Sequence, residues 1–142
     1  MLISDIMSSH VVSITPEESV SLAARLLYRH NIGALPVCSD DGRLAGMVTD
    51  RDIVLRCVAA ENNPETMQVK DIMSRGIVSV APGDDARVAT RIMATEQIRR
   101  LPVLSQGKVV GMVSLGDMAK LHSYDMEASK ALAEISVNVK KK

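Results

Sequence analysis

Displaced by 66 residues, the chain lies on itself. Asp5-Ile6-Met7-Ser8 falls on Asp71-Ile72-Met73-Ser74, Pro16 on Pro82, and Leu35-Pro36-Val37 on Leu101-Pro102-Val103. After a one-residue deletion the displacement becomes 65, and Gly46-Met47-Val48 falls on Gly111-Met112-Val113 and Asp52 on Asp117. Identities held in register over a whole unit mark a tandem duplication. The copies are expected at 1–60 and 68–122. Asn62-Asn63-Pro64 punctuates a linker over 61–67, and 123–142 lies outside the repeat. One unit cannot cover both faces of its own sheet, so the halves are expected to pack about a pseudo-twofold axis and share a core.

Each copy reads β-α-β-β-α, a mixed, α+β pattern. Val11–Ile14 is a strand ended by Thr15-Pro16. Ser19 caps a helix to His30, whose Val20, Ala23, Ala24 and Leu27 recur at helical spacing. Residues 34–38 and 44–48 form a hairpin across Asp40-Asp41-Gly42. Thr49 then opens a helix running to Ala60. The second copy predicts strands 77–80, 101–104 and 108–113, a helix 85–96 and a last helix from Gly116. Met118, Leu121, Ala128, Leu132 and Ile135 continue that helix as one apolar stripe, before a tail ending in three lysines.

Composition removes several function classes. The 142 residues carry 17 basic and 17 acidic side chains, which gives no general pull towards nucleic acid or an anionic membrane. With two Tyr and no Phe or Trp, a base-stacking platform is excluded and the core is aliphatic. No stretch is long and apolar enough to span a bilayer, and MLISDIMSSH lacks the pattern of a signal peptide, so the expectation is a cytoplasmic protein. Cys38 and Cys57 then read as reduced thiols. The histidines are scattered, no metal site is readable, and no nucleophile–base pair recurs in both copies, so catalysis is not expected.

The motif that recurs with chemistry in it stands where the third strand meets the second helix: Gly46-Met47-Val48-Thr49-Asp50-Arg51-Asp52 and Gly111-Met112-Val113-Ser114-Leu115-Gly116-Asp117. Glycine admits a close approach to the backbone. A hydroxyl and the free N–H groups of a helix start can hold phosphate. A carboxylate one turn in can accept from both ribose hydroxyls. The same spacing also serves plain helix capping, with Thr49 and Ser114 as N-caps and Asp52 and Asp117 in the first turn. Residues alone leave both readings open.

Taken together, the duplication, the two Asp-Ile-Met starts, the Leu-Pro-Val strands and the two Gly…[Ser/Thr]-x-x-Asp junctions resemble a pair of cystathionine-β-synthase (CBS) domains over residues 2–122, most like stand-alone bacterial CBS pairs. The resemblance implies clefts that take an adenosyl ligand such as AMP, ADP, ATP or S-adenosylmethionine, with no cofactor required. Asp52 and Asp117 would bind ribose, and Thr49 and Ser114 would face phosphate. Ile14 and Val80, with Pro36 and Pro102, would line the adenine slots. Arg99 and Arg100 match basic residues that reach phosphate in relatives, whereas the first copy has Gly33 and Ala34 there; Arg51 is a further phosphate candidate. The two clefts are thus expected to differ. The implied role is a sensor that signals to a regulated partner protein, as a homodimer through the 20–30 helix, the 86–96 helix and the helix near Gly116. The competing readings are an interaction protein without ligand and a small nucleotide-processing enzyme.

Overall fold

The computed structural model describes residues 1–120. In chain order these form a short helix α1 (Ile3–Ile6), α2 (Val20–His30), a hairpin β1 (Ala34–Cys38) and β2 (Leu44–Thr49), and α3 (Asp50–Ile53), which runs into a π-helical turn over Val54–Val58. A 3₁₀ turn (Val69–Asp71), α4 (Ala86–Glu96) and a second hairpin β3 (Arg100–Ser105) and β4 (Lys108–Ser114) follow. A last helix, α5, begins at 115 and is described to 120. Most of the proposed C-terminal stripe lies outside the described residues.

Both long helices are amphipathic and bury one stripe: Val20, Ala23 and Leu27 in α2, Ala86, Ala89 and Met93 in α4. Ser19 accepts from the Leu22 N–H at 3.0 Å, and Asp85 caps α4 by accepting from the Arg87 N–H at 2.9 Å. Both helices end on a left-handed residue, Asn31 and Gln97, after which Ile32 and Ile98 donate back to the Leu27 and Met93 carbonyls.

The hairpins are antiparallel, each with a register shift at the same place, Val37/Cys38 and Val103/Leu104. The expected first strand of each copy is reduced to a single parallel bridge, Ile14 beside Val37 and Val80 beside Val103. Proline explains the truncation. Ile14 donates to the Pro36 carbonyl at 3.1 Å and accepts from the Cys38 N–H at 2.9 Å. The next rung of a parallel ladder would need an N–H from Pro36, which has none. Pro102 imposes the same limit on Val80, whose N–H reaches its carbonyl at 3.2 Å. The sheets are therefore two-stranded hairpins with one extended flank, not three-stranded. The helix expected to Ala60 is likewise α-helical only in its first turn: Ala59 donates to Val54 and Asn62 to Cys57, each five residues back.

The apolar interior is two clusters and not the single shared core expected from the duplication. Each cluster borrows from the other copy. Val69, Ile72 and Met73, which open the second copy, are buried with Leu35, Val37, Val48 and Leu27 of the first. Ile3, with Ile6 and Met7 at its margin, packs with Leu101, Val103, Val113 and Met93 of the second. The exchange is reciprocal in the backbone: Ser74 bridges Met47 and Ser8 bridges Met112, while Gln68 bridges Ser19 and Leu2 bridges Asp85. The hairpin ends also meet. Arg43 pairs with Lys108, its own counterpart in the repeat, so the pseudo-twofold axis passes between them.

Candidate functional site

At both junctions the repeated hydroxyl and carboxylate close a capping box. Thr49 Oγ1 accepts from the Asp52 N–H and Asp52 Oδ2 accepts from the Thr49 N–H, both at 3.0 Å. Ser114 Oγ accepts from the Asp117 N–H at 3.1 Å and Asp117 Oδ2 accepts from the Ser114 N–H at 2.9 Å. Each pair satisfies backbone donors that the helix start leaves open. The glycine of the motif also has a structural use. A Cβ on Gly46 would stand 2.6 Å from the Ser74 carbonyl oxygen, and one on Gly111 would stand 3.0 Å from that of Ser8. Glycine here admits the exchanged segment of the other copy.

Between the two junctions runs a groove of about 1060 Å³. Of the residues singled out from sequence, it is lined by Thr49, Arg51, Arg99, Arg100, Pro102 and Ser114. Asp52, Asp117, Ile14, Val80 and Pro36 are not on its wall. Ile14 and Val80 are buried in the two cores, and Pro36 is fully buried between Ile14 and Met47. Ile77 and Val78, just before Val80, supply the apolar wall instead, with Ile32 and Ile98. Ile14 borders a second, smaller cavity of about 540 Å³ with Leu22, Leu26, Cys38 and Val109. Burial there pushes the Cys38 thiol up from its ordinary value.

The two ends of the groove differ in charge. One holds Gly33, Ala34, Asp50 and Arg51; the equivalent positions at the other are Arg99, Arg100, Leu115 and Gly116. The backbone is the same at both, since Asp50 N–H donates to the Gly33 carbonyl at 3.0 Å and Leu115 N–H to that of Arg99 at 2.7 Å. The first end therefore carries one carboxylate and one guanidinium, the second two guanidiniums and the Glu96 carboxylate. Among the described residues, the guanidiniums of Arg51, Arg99 and Arg100 take no ion pair or hydrogen bond. Asp50 was not singled out from sequence, although its replacement by Leu115 in the second copy is visible there. Among the described residues no group of three or more His, Cys, Asp or Glu is placed to hold a metal ion, and no described helix is long and apolar enough to cross a membrane.

The chain is similar to known proteins over most of its length. It is 40% identical over 134 residues to the CBS domain-containing protein YhcV of Bacillus subtilis, covering 94% of each chain. It is 38% identical over 116 residues to Hypoxic response protein 1 of Mycobacterium tuberculosis, covering 82% of this chain and 81% of that one. The crystal structure of Hypoxic Response Protein I, which has two coordinated zinc ions, superimposes with a TM-score of 0.79 at 37% identity, over 84% of this chain and 98% of that one. The CBS domain pair of MJ0100, in complex with 5′-methylthioadenosine and S-adenosyl-L-methionine, gives a TM-score of 0.74 at 27% identity, over 88% of this chain and 98% of that one. The CBS domain model matches twice, at residues 3–58 and 69–124. With two matched repeats, reciprocally exchanged N-terminal segments and paired junctions facing one groove, the chain belongs to the CBS domain family as a tandem pair.

Proposed function

We propose that this CBS pair is a regulatory module that binds an adenosyl ligand in the groove between its repeats and signals its occupancy to a partner protein. One observation carries the reading: uncommitted guanidiniums of Arg99, Arg100 and Arg51 line a groove with the apolar wall of Ile77 and Val78 and the hydroxyls of Thr49 and Ser114. That is an anion site beside an apolar slot, the chemistry of a nucleoside phosphate. The adenosyl ligands of the MJ0100 pair support the same class. In this reading the ligand is bound and released unchanged, and among the described residues no hydroxyl of the groove is hydrogen-bonded to a histidine or lysine that could act as its base. Thermal melts with AMP, ATP, S-adenosylmethionine and adenosine test the reading. A ligand at a hundred times its Kd adds about 2.7 kcal/mol to a native state that alone binds it. No shift with any of them at millimolar concentration would reject it.

A second reading, an interaction protein without a ligand, is favoured by the capping boxes that engage both carboxylates. Self-association belongs to either reading. Val54, Leu55 and Val58 on the π-helical turn stay 54%, 48% and 60% exposed, and Leu115 stays 45% exposed. The turn is an element that the sequence reading did not place among the dimer contacts, and a second copy is the covering partner we propose for it.

A further inference from the structure

The smaller cavity, of about 540 Å³, lies between α2, the extended flank before it and the end of the first hairpin. Val11 and Ser13 line it, while Val12 between them packs on the first core, as alternate residues of an extended segment do. Leu22 and Leu26 of α2 supply an aliphatic wall, and Val109 of the second hairpin lines the cavity from the other repeat. The Val109 N–H donates to the Gly42 carbonyl at 3.2 Å, so both repeats bound the cavity where their hairpin ends meet. Cys38 stands in its wall. It is 7% exposed, and among the described residues its thiol has no hydrogen-bond partner. A buried polar group without a partner on a cavity wall is a place where a ligand adds a contact. The second copy has Leu104 at this position.

Charge selects what this cavity takes. Glu18 and Asp40 line it from exposed positions, and no Lys, Arg or His does among the described residues. Neither carboxylate takes an ion pair or a side-chain hydrogen bond among the described residues, whereas neighbouring Asp41 pairs with Arg43 at 3.5 Å. The second copy keeps neither feature. Gln106 stands at the position of Asp40, and Asp84, the counterpart of Glu18, is committed to accepting from the Ala81 N–H at 2.9 Å. An anion is repelled here, the reverse of the arginine end of the groove. The carboxylates are not gathered with a third donor for a metal ion, and no Phe or Trp exists to cage a quaternary ammonium. What remains is a cation whose charges are separated by an aliphatic body.

We propose that this cavity binds an aliphatic polyamine, with ammonium groups on Glu18 and Asp40 and methylenes against Leu22, Leu26 and Val109. The site is separate from the groove and does not rest on the adenosyl reading. Isothermal titration of the full chain with spermidine tests it. The expected result is one saturable site per chain. Glu18→Gln and Asp40→Asn should each weaken it about tenfold, the loss of a charge-assisted hydrogen bond. Glu17→Gln, which removes an exposed carboxylate that does not line the cavity, should stay within about twofold. Cys38→Leu, which copies the second repeat, fills the wall and should weaken spermidine about tenfold with both carboxylates retained. Ser13→Leu narrows the cavity from an exposed position and should give the same loss without touching the core. No heat with spermidine would overturn the proposal. So would equal losses in Glu17→Gln and Glu18→Gln, which would mean diffuse attraction to an acidic surface. Undiminished binding in both Cys38→Leu and Ser13→Leu would overturn the cavity as its place.

Discussion

Gly46 and Ser74 meet at a point where no side chain fits: a Cβ on the glycine would stand 2.6 Å from the serine carbonyl oxygen and 2.9 Å from Met73 Sδ. Both partners are backbone-anchored, because Ser74 and Met47 exchange N–H···O bonds of 2.8 and 3.0 Å across the same place. Gly46→Ala should therefore destabilise the protein by about 1–3 kcal/mol, the usual cost of overpacking a tight contact. Gly83→Ala is the control, since a Cβ there meets nothing within 4 Å, and its change should stay within about 0.5 kcal/mol. Urea unfolding midpoints of the two variants check both.

Ser19 tests the capping that orients α2 towards its core. Its hydroxyl oxygen accepts from the Leu22 N–H, and Ser19→Ala leaves that donor without a side-chain partner. A loss of about 1 kcal/mol is expected in the same unfolding measurement.

Asp85 should give the clearest acid titration. The Arg87 side chain hydrogen bond, with the Arg87 backbone N–H, lowers its carboxyl to about 2. A carboxyl whose folded value lies below its unfolded one stabilises the native state above the ordinary carboxylate range. That contribution is lost as pH falls from about 4 towards 2. Carbon-detected NMR titration should find the low midpoint in the native protein and a midpoint nearer the ordinary range in Arg87→Ala.

Under the proposed function, Arg99 and Arg100 should bear on phosphate and not on ribose. Replacing both by Ala should weaken AMP at least tenfold and leave adenosine within about twofold, because a charge-assisted hydrogen bond contributes about 1.5–3 kcal/mol. Calorimetric titration with the two ligands separates the outcomes. Equal weakening would mean that the arginines shape the loop before Leu101-Pro102.

Cys38 and Cys57 are both buried, and burial raises the Cys38 thiol further from the reactive thiolate. Iodoacetamide at neutral pH should label neither in the native protein and both in denaturant, as read by mass spectrometry.

The sequence by itself determined the duplication, both hairpins, both long helices with the Ser19 start, and the junction residues, because each rests on local chemistry legible along the chain. Pattern alone also located Arg99 and Arg100, since a departure from the repeat is visible as a departure. It did not carry the truncation of the flanking strands, which depends on whether an absent N–H at Pro36 faces a particular carbonyl. Nor did it carry the use of Gly46, Thr49 and Asp52. The same Gly…Thr-x-x-Asp spacing suits a ligand or a helix cap, and only the packing of Met73 and Ser74 against it shows what the glycine admits. The exchange of N-terminal segments was decided by tertiary structure alone. Asp-Ile-Met-Ser opens each copy in sequence, yet its apolar side chains complete the other copy's core, because periodicity records which residues must be buried and not against which half.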